Sequence, residues 1–229
     1  MPVMTEMLTS PMLQDSPRAR CLLQRAQGAL QKWPEGFAGF RARLRCAQGQ
    51  HESHGWVQLT TARQIQVHLP DATLQGFTRA MLERLVDERT PCFFKDGDGR
   101  FLLTLDAEAQ PSWGQCVRVH RGNGERLAYW IDAKGRLRCC ERHTAEQRIV
   151  TVFAEYTRAT PGRVLPQQMT CTRFALAGGA WLGSETMVDT HLRINHVWLL
   201  ATRHLTITTP HDTQTIFWEF AGHTLLGAC

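Results

Sequence analysis

Turn-forming residues divide the chain from Pro91 onward into short segments. They fall at Asp96–Gly99, Gly122–Gly124, Ala133–Gly135, Pro161–Gly162 and Gly178–Gly179. Apolar and polar residues alternate between these turns, as they do in strands whose successive side chains point to opposite faces. The regular alternation of strands and helices that a parallel sheet requires is not found here. The pattern therefore predicts a meander of antiparallel hairpins. The predicted strands are Arg100–Leu105, Cys116–His120, Leu127–Asp132, Leu137–His143, Arg148–Tyr156, Leu165–Phe174, Ser184–Ile194, Val197–Thr208 and Thr213–Phe220.

The first part of the chain adds two helices and three strands. Ser16 and Pro17 favour a helix start, and apolar residues at helical spacing extend the helix to Lys32. A second helix begins at Asp71 or Thr73. Its apolar stripe consists of Leu74, Phe77, Met81, Leu82 and Leu85. Between the helices lie a strand with apolar Phe40, Ala42, Leu44 and Cys46 alternating with arginines, and two short strands within 55–70.

These segments predict an α+β fold. We expect a curved antiparallel β-sheet, a half barrel, with the two helices packed on its concave side. Residues 1–15 have no periodic apolar face, so they are predicted to form a flexible N-terminal tail. Residues 16–229 are predicted to form a single α+β domain.

Composition limits the classes of function. The chain has 26 basic and 21 acidic residues, and this balance alone does not indicate nucleic-acid binding. It has no run of about 18 apolar residues and no secretory signal pattern. Its eight scattered cysteines suggest free thiols in a reducing compartment. We therefore expect a soluble cytoplasmic protein, with peripheral contact to a membrane surface as an option.

The stretch YWIDAKGRLRCCERH, Tyr129–His143, contains the adjacent residues Cys139 and Cys140. On a strand they would point to opposite faces, so one metal ion could not readily bind both. Alternation from Leu137 predicts Cys139 in the core and Cys140 outside among arginines, where cations would favour its thiolate. A reactive Cys140 is thus a minor hypothesis, and no metal site or cofactor is predicted.

Aromatic residues offer a candidate binding cavity, since ligand pockets are mostly apolar. The candidate lining residues are Phe40, Trp56, Phe77, Trp130, Phe153 and Trp198. Core packing is the alternative role for each of them. No catalytic motif accompanies them, so the sequence favours a non-enzymatic binding protein for an apolar or amphipathic small molecule, lipid or pigment-like.

Arginines offer a second candidate surface. Arg41 and Arg43 lie on one predicted strand, and Arg136 and Arg138 lie at the start of another. If both strands presented them on the same side, they would form a cationic stripe for an acidic protein or an anionic membrane surface. The alternative function is therefore a protein-interaction or assembly factor, while a solvated outer face is the simpler explanation.

The segment order resembles that of a known family. The segments are GFAGFRARL, GWVQLTTARQIQVHLPD, LQGFTRAMLERLVDERTP and VDTHLRINHVWLLATRHLTI. They resemble a cyanobacterial and plastid domain family of unknown function over about 31–208. More distantly, the arrangement is similar to the outer-membrane lipoprotein-carrier superfamily. That resemblance implies a half barrel closed by helices over a hydrophobic cavity.

Overall fold

A computed structural model describes residues 13–60, 64–106, 113–122 and 124–227. Most of the predicted tail, 1–15, lies outside these ranges. The helices are α1, Pro17–Gly28, and α2, Ala72–Arg89. The strands are β1, Gly39–Gln48; β2, His51–Thr60; β3, Ile65–His68; β4, Leu102–Asp106; β5, Gln115–His120; β6, Arg126–Ile131; β7, Leu137–His143; β8, Gln147–Arg158; β9, Val164–Ala175; β10, Trp181–Ile194; β11, Val197–Thr208; and β12, Thr213–Leu225.

The strands of the described residues form one twelve-stranded sheet in the order β3-β2-β1-β12-β11-β10-β9-β8-β7-β6-β5-β4. Every neighbouring pair is antiparallel. Strand β1 joins β12, so the first three strands extend the meander instead of forming a separate sheet. The sheet is curved but unclosed, with β3 and β4 at its edges. The predicted α+β class and antiparallel sheet are confirmed.

Local sequence explains where the helices begin and end. The Ser16 hydroxyl accepts a hydrogen bond from the Ala19 amide at 3.2 Å, and Pro17 occupies the first turn. Asp71, not Thr73, caps α2 through the Leu74 amide at 2.9 Å. Helix α1 ends at Gly28, before the predicted Lys32, because the next residues bond to β9. The Gln31 amide donates to the Val164 carbonyl at 2.8 Å.

Both helices lie on the same face of the sheet. Tyr129, Cys140, Thr151, Cys171 and Glu185 are paired directly across five neighbouring strands, so their side chains share one face. Tyr129 packs with the cluster beneath α1. At the other end of the row, Arg84 of α2 donates to Glu185 at 2.7 Å. One sheet face therefore carries both α1 and α2.

Two hydrophobic clusters fill the space between this face and the helices. The first lies beneath α2 and includes Leu82 and Trp218, both fully buried. The second lies beneath α1 and includes Leu23 and Val117. Phe153 of β8 packs against both clusters, so it connects the two halves of the core.

The segment before β4 differs from the sequence prediction. The segment around Asp96 and Asp98 forms two short 3-10 turns, Phe94–Asp96 and Asp98–Arg100, instead of a hairpin turn. Strand β4 consequently starts at Leu102. The nine strands predicted after Pro91 are present as β4–β12, with most boundaries shifted by only a few residues.

A β-bulge reverses the predicted directions of Cys139 and Cys140. Trp130 pairs with Cys139, but the next residue, Ile131, pairs with Leu137, which leaves Arg138 as the extra residue. Cys139 therefore points away from the helix-bearing face, although it is fully buried. Cys140 points toward α1 and packs with the cluster there. The prediction that Cys140 lies outside among arginines is wrong.

Candidate functional site

A cleft lies between the end of α1 and the loop that follows α2. Its volume is about 870 Å³, within the range of small-molecule sites. One wall is the end of α1 and the segment after it, and the opposite wall is the loop that follows α2. Tyr129 of β6 and Leu137 of β7 form the floor. The cleft therefore opens over the helix-bearing face of the sheet.

Apolar side chains supply much of the cleft surface. The apolar and aromatic lining residues are Leu30, Trp33, Pro34, Pro91, Phe93, Phe94 and Leu137. Trp33 is buried and packs 5.0 Å from the Phe37 ring, which fixes its position. Phe93 is 71% exposed, an unusual position for a large aromatic ring beside a cleft. A ligand lying against it would remove that ring from water.

A buried carboxylate organises the polar side of the cleft. Asp98 accepts hydrogen bonds from Gln27 Nε2 at 2.8 Å, the Tyr129 hydroxyl at 2.8 Å and Arg121 Nη2 at 2.9 Å. These donors come from α1, β6 and the turn after β5, so Asp98 ties three elements together. Burial raises the pKa of Tyr129 well above its usual value, which keeps the phenol protonated as a donor.

Basic groups outnumber acidic groups in the lining. The lining contains three basic side chains, Lys32, Arg121 and Arg163, and one carboxylate, Asp98. Lys32 Nζ donates to the Glu88 carbonyl, and burial lowers the pKa of this amine. Arg163 donates to the Gly28 carbonyl at the end of α1. The cleft thus combines an apolar surface with an excess of positive charge.

The six aromatic residues predicted from the sequence do not line this cleft. Phe40 is buried in the core beneath α2, and Phe153 connects the two clusters. Trp56 and Trp130 lie on the opposite sheet face, where Trp56 stacks on His68 and Trp130 meets Trp113 edge-on. The other two residues are Phe77, 36% exposed on α2, and Trp198, half-buried on β11. The structure does not bring these six together.

The predicted arginines form two separate groups. Arg41 and Arg43 are exposed on the face away from the helices. Five strands separate β1 from β7, a distance of about 29 Å at normal strand spacing. Arg136 is ion-paired with Asp132 at 2.8 Å, and Arg138 bonds the Ala154 carbonyl at 3.3 Å. The structure does not join the two groups into one stripe.

The cysteines lie in different environments. Cys92 is exposed and lines the cleft, whereas burial raises the pKa of Cys140 to about 12. Within the ranges that the structure describes, no three His, Cys, Asp or Glu side chains are grouped as metal ligands would be. No helix in those ranges is long and apolar enough to cross a bilayer.

Sequence reasoning missed the main residues of the cleft. Phe93 and Phe94 lie in the segment PCFFKDGDG between α2 and β4, and Asp98 was interpreted as a turn residue. The adjacent phenylalanines were the available signal, because exposed apolar surface can mark a binding site; Phe93 is exposed and Phe94 is half-buried. Lys32 and Trp33 gave no comparable signal.

The fold and the cleft define an α+β protein with an unclosed antiparallel sheet, two helices on one face and an amphipathic cleft between them. The chain belongs to the family described as a protein of unknown function, DUF3386, whose model matches residues 14–226. The predicted resemblance to a domain family of unknown function is therefore confirmed. A comparison with curated proteins finds no match.

Proposed function

We propose that this protein binds an apolar or amphipathic small molecule in the cleft between α1 and the loop after α2. The supporting observation is an 870 Å³ cleft that combines exposed aromatic surface with excess positive charge. The preferred ligand has a flat or acyl apolar body and an anionic end. The proposed role is binding and not catalysis. In this proposal the helix-bearing face is the concave side of the half barrel.

The proposed binding mode follows from the lining. The apolar body lies against Leu30, Phe93 and Phe94, which keep exposed surface, so contact removes apolar surface from water. The anionic end lies near Lys32 and Arg163, which already donate to backbone carbonyls and have further N–H groups to offer. Asp98 keeps its three donors and holds the floor and wall in place.

The binding of anilinonaphthalene sulfonate, an anionic aromatic amphiphile that fluoresces in apolar sites, tests this proposal. Phe93→Ala should weaken the affinity about tenfold, or about 1.4 kcal/mol, because a large apolar contact is lost. Phe77→Ala is the matched control, since Phe77 is also exposed but lies on α2 outside the cleft. Fluorescence titration of both variants gives the dissociation constants.

Native mass spectrometry of the purified protein provides a second measurement. A co-purifying lipid or pigment that Phe93→Ala releases, and Phe77→Ala retains, supports the proposal. Equal loss of probe affinity in the two variants would contradict the cleft as the site.

A second candidate function uses the outer sheet face. Arg41 and Arg43 are exposed there, and the Arg41 guanidinium lies 4.8 Å from the Trp56 ring centroid. We propose an acidic protein surface as its partner. Replacing both arginines with Ser should abolish salt-sensitive capture of an acidic polypeptide such as polyglutamate without changing the thermal midpoint. Unchanged capture would exclude this surface.

A further inference from the structure

The tip of the β9–β10 hairpin is exposed and apolar. Its seven residues, Leu176–Leu182, read LAGGAWL and contain no charged side chain. Leu176 is 47% exposed, Trp181 39% and Leu182 41%. Tight turns in water are usually built from Asn, Asp, Ser, Gly and Pro. A contiguous group of exposed apolar side chains instead marks a surface that contacts a protein, a ligand or a membrane.

The backbone of the tip already satisfies several of its polar groups. Gly178 and Gly179 have φ angles of 76° and 66°, a conformation that lets the hairpin reverse direction tightly. The Ala175 amide donates to the Ala180 carbonyl at 2.8 Å, and the Leu176 amide donates to the Glu146 carbonyl at 2.9 Å. Such internal bonds reduce the free energy needed to move backbone out of water.

Two arginines lie next to the tip, one on each face of the sheet. Arg148 pairs with Phe174 across β8 and β9, and its guanidinium lies 5.2 Å from that ring centroid. Arg173, the residue before Phe174, pairs with Gly183 on the opposite face. Their side chains are 44% and 40% exposed. Although each also contacts a glutamate, Glu141 or Glu185, a guanidinium has donors left for phosphate oxygens.

Neighbouring turns show that the apolar tip is a local feature. Antiparallel pairing places the β7–β8 and β11–β12 turns at the same end of the sheet. Their residues, 144–146 and 209–212, include Thr144, Glu146, His211 and Asp212. The apolar surface is therefore confined to one hairpin tip, and the turns on either side of it are polar. The apolar surface of this tip is far smaller than a standard protein–protein interface, but it suits shallow insertion into a lipid layer.

We propose that the β9–β10 tip docks on a phospholipid bilayer. Leu176, Trp181 and Leu182 enter the interfacial region, where a tryptophan ring is favoured because it is apolar with one polar N–H. Arg148 and Arg173 contact the phosphates of the headgroups around the inserted tip. This surface is distinct from the cleft, so docking does not depend on the proposed ligand binding.

Flotation with lipid vesicles tests the docking of the full chain. One vesicle set is phosphatidylcholine and the other adds phosphatidylglycerol. The double variant Leu176→Asp with Leu182→Asp should lower the partition coefficient at least tenfold on both sets. Leu13→Asp with Phe77→Asp is the matched control, because it places the same two charges at other exposed apolar positions and should leave partitioning unchanged. Arg148→Ser with Arg173→Ser should lower partitioning about tenfold on the anionic set and less on the phosphatidylcholine set.

The outcomes separate the bilayer from other occupants. Wild-type protein that stays free of both vesicle sets overturns the proposal. Equal partitioning of the tip variant and wild type also overturns it. A wild-type dimer that the tip variant converts to monomer, with no vesicle binding, assigns the tip to self-association instead. Circular dichroism melting checks that both Asp variants are folded. We expect them to fold, because the replaced side chains are exposed.

Discussion

Cys140 lies beneath α1 with Tyr129, and burial raises the pKa of its thiol to about 12. The thiolate, which is the reactive form, is therefore scarce at pH 8. We expect iodoacetamide to alkylate the exposed Cys21 and Cys92 much faster than Cys140 in the native protein. Peptide mass mapping over a time course measures the three rates. Alkylation of Cys140 at the rate of Cys92 would contradict its assigned position.

His191 provides a pH dependence of stability. It faces Arg89, Asp189 and Arg203, and burial with the nearby arginines lowers its pKa from 6.5 to about 4. The unfolded chain therefore binds more protons than the native chain between pH 6.5 and pH 4, so stability falls as pH decreases through this window. From pH 7 to pH 5 the expected loss is about 1 to 2 kcal/mol.

The variant His191→Asn isolates this contribution. Urea unfolding at pH 7 and pH 5 should show a smaller decrease in the free energy of unfolding for the variant than for the wild type. His223, whose pKa burial also lowers, remains in both proteins and cancels in the comparison. An identical decrease in the two proteins would mean that His191 is protonated equally in the folded and unfolded states.

At the scale of elements, α2 is attached to β12, an interior strand of the sheet. The indole of the fully buried Trp218 donates to the Thr78 hydroxyl of α2 at 2.9 Å. Beside it, Arg203 forms a buried bidentate pair with Asp189 at 2.8 and 2.7 Å. Arg203 also lies 3.6 Å from Glu88 of α2. Helix position therefore depends on both apolar packing and a buried ion pair.

Replacing Trp218 with Ala tests this attachment. We expect the free energy of unfolding to fall by about 4 kcal/mol, since the change leaves a large cavity and removes the bond to Thr78. Trp181→Ala is the matched control and should change stability by less than about 0.5 kcal/mol, because Trp181 is exposed at a hairpin tip. Chemical denaturation gives both values, and similar losses would contradict the packing described for β12.

At the scale of the whole molecule, one sheet carries two hydrophobic clusters connected through Phe153. Strand β1 pairs with β12, the last strand of the chain. Contacts between residues distant in sequence therefore hold the first three strands in the sheet. The cleft exists because α1 and α2 stand on the same face and leave a gap between them. Its shape therefore depends on both helices and on the sheet together.

Shared clusters predict one unfolding transition. Far-ultraviolet circular dichroism, which reports on strands and helices, and tryptophan fluorescence should show the same urea midpoint and slope. This result would support the prediction of one domain from 16 to 229. Two separated transitions would instead indicate that the α1 and α2 regions unfold independently around the shared sheet.

The local pattern of the sequence determined the elements of this fold. Alternation in β1, the caps at Ser16 and Asp71, and the glycine-rich turns fix secondary structure because they depend on interactions within a few residues. The same alternation failed for Cys139 and Cys140, since one extra residue at Arg138 inverts every later side chain of β7. The bulge is a property of the pairing with β6 and leaves no mark in local composition.

Only the tertiary structure decided what the surfaces are. Alternation placed Arg41 and Arg138 on strands, but strand order put five strands between them. The cleft joins residues from α1, the loop after α2, β6 and β7, and Asp98 meets Gln27 and Tyr129 only after folding. These contacts join residues distant in sequence, so they depend on how all the strands of the sheet pair. By contrast, the apolar tip LAGGAWL is contiguous in sequence, and folding decided only that it is exposed.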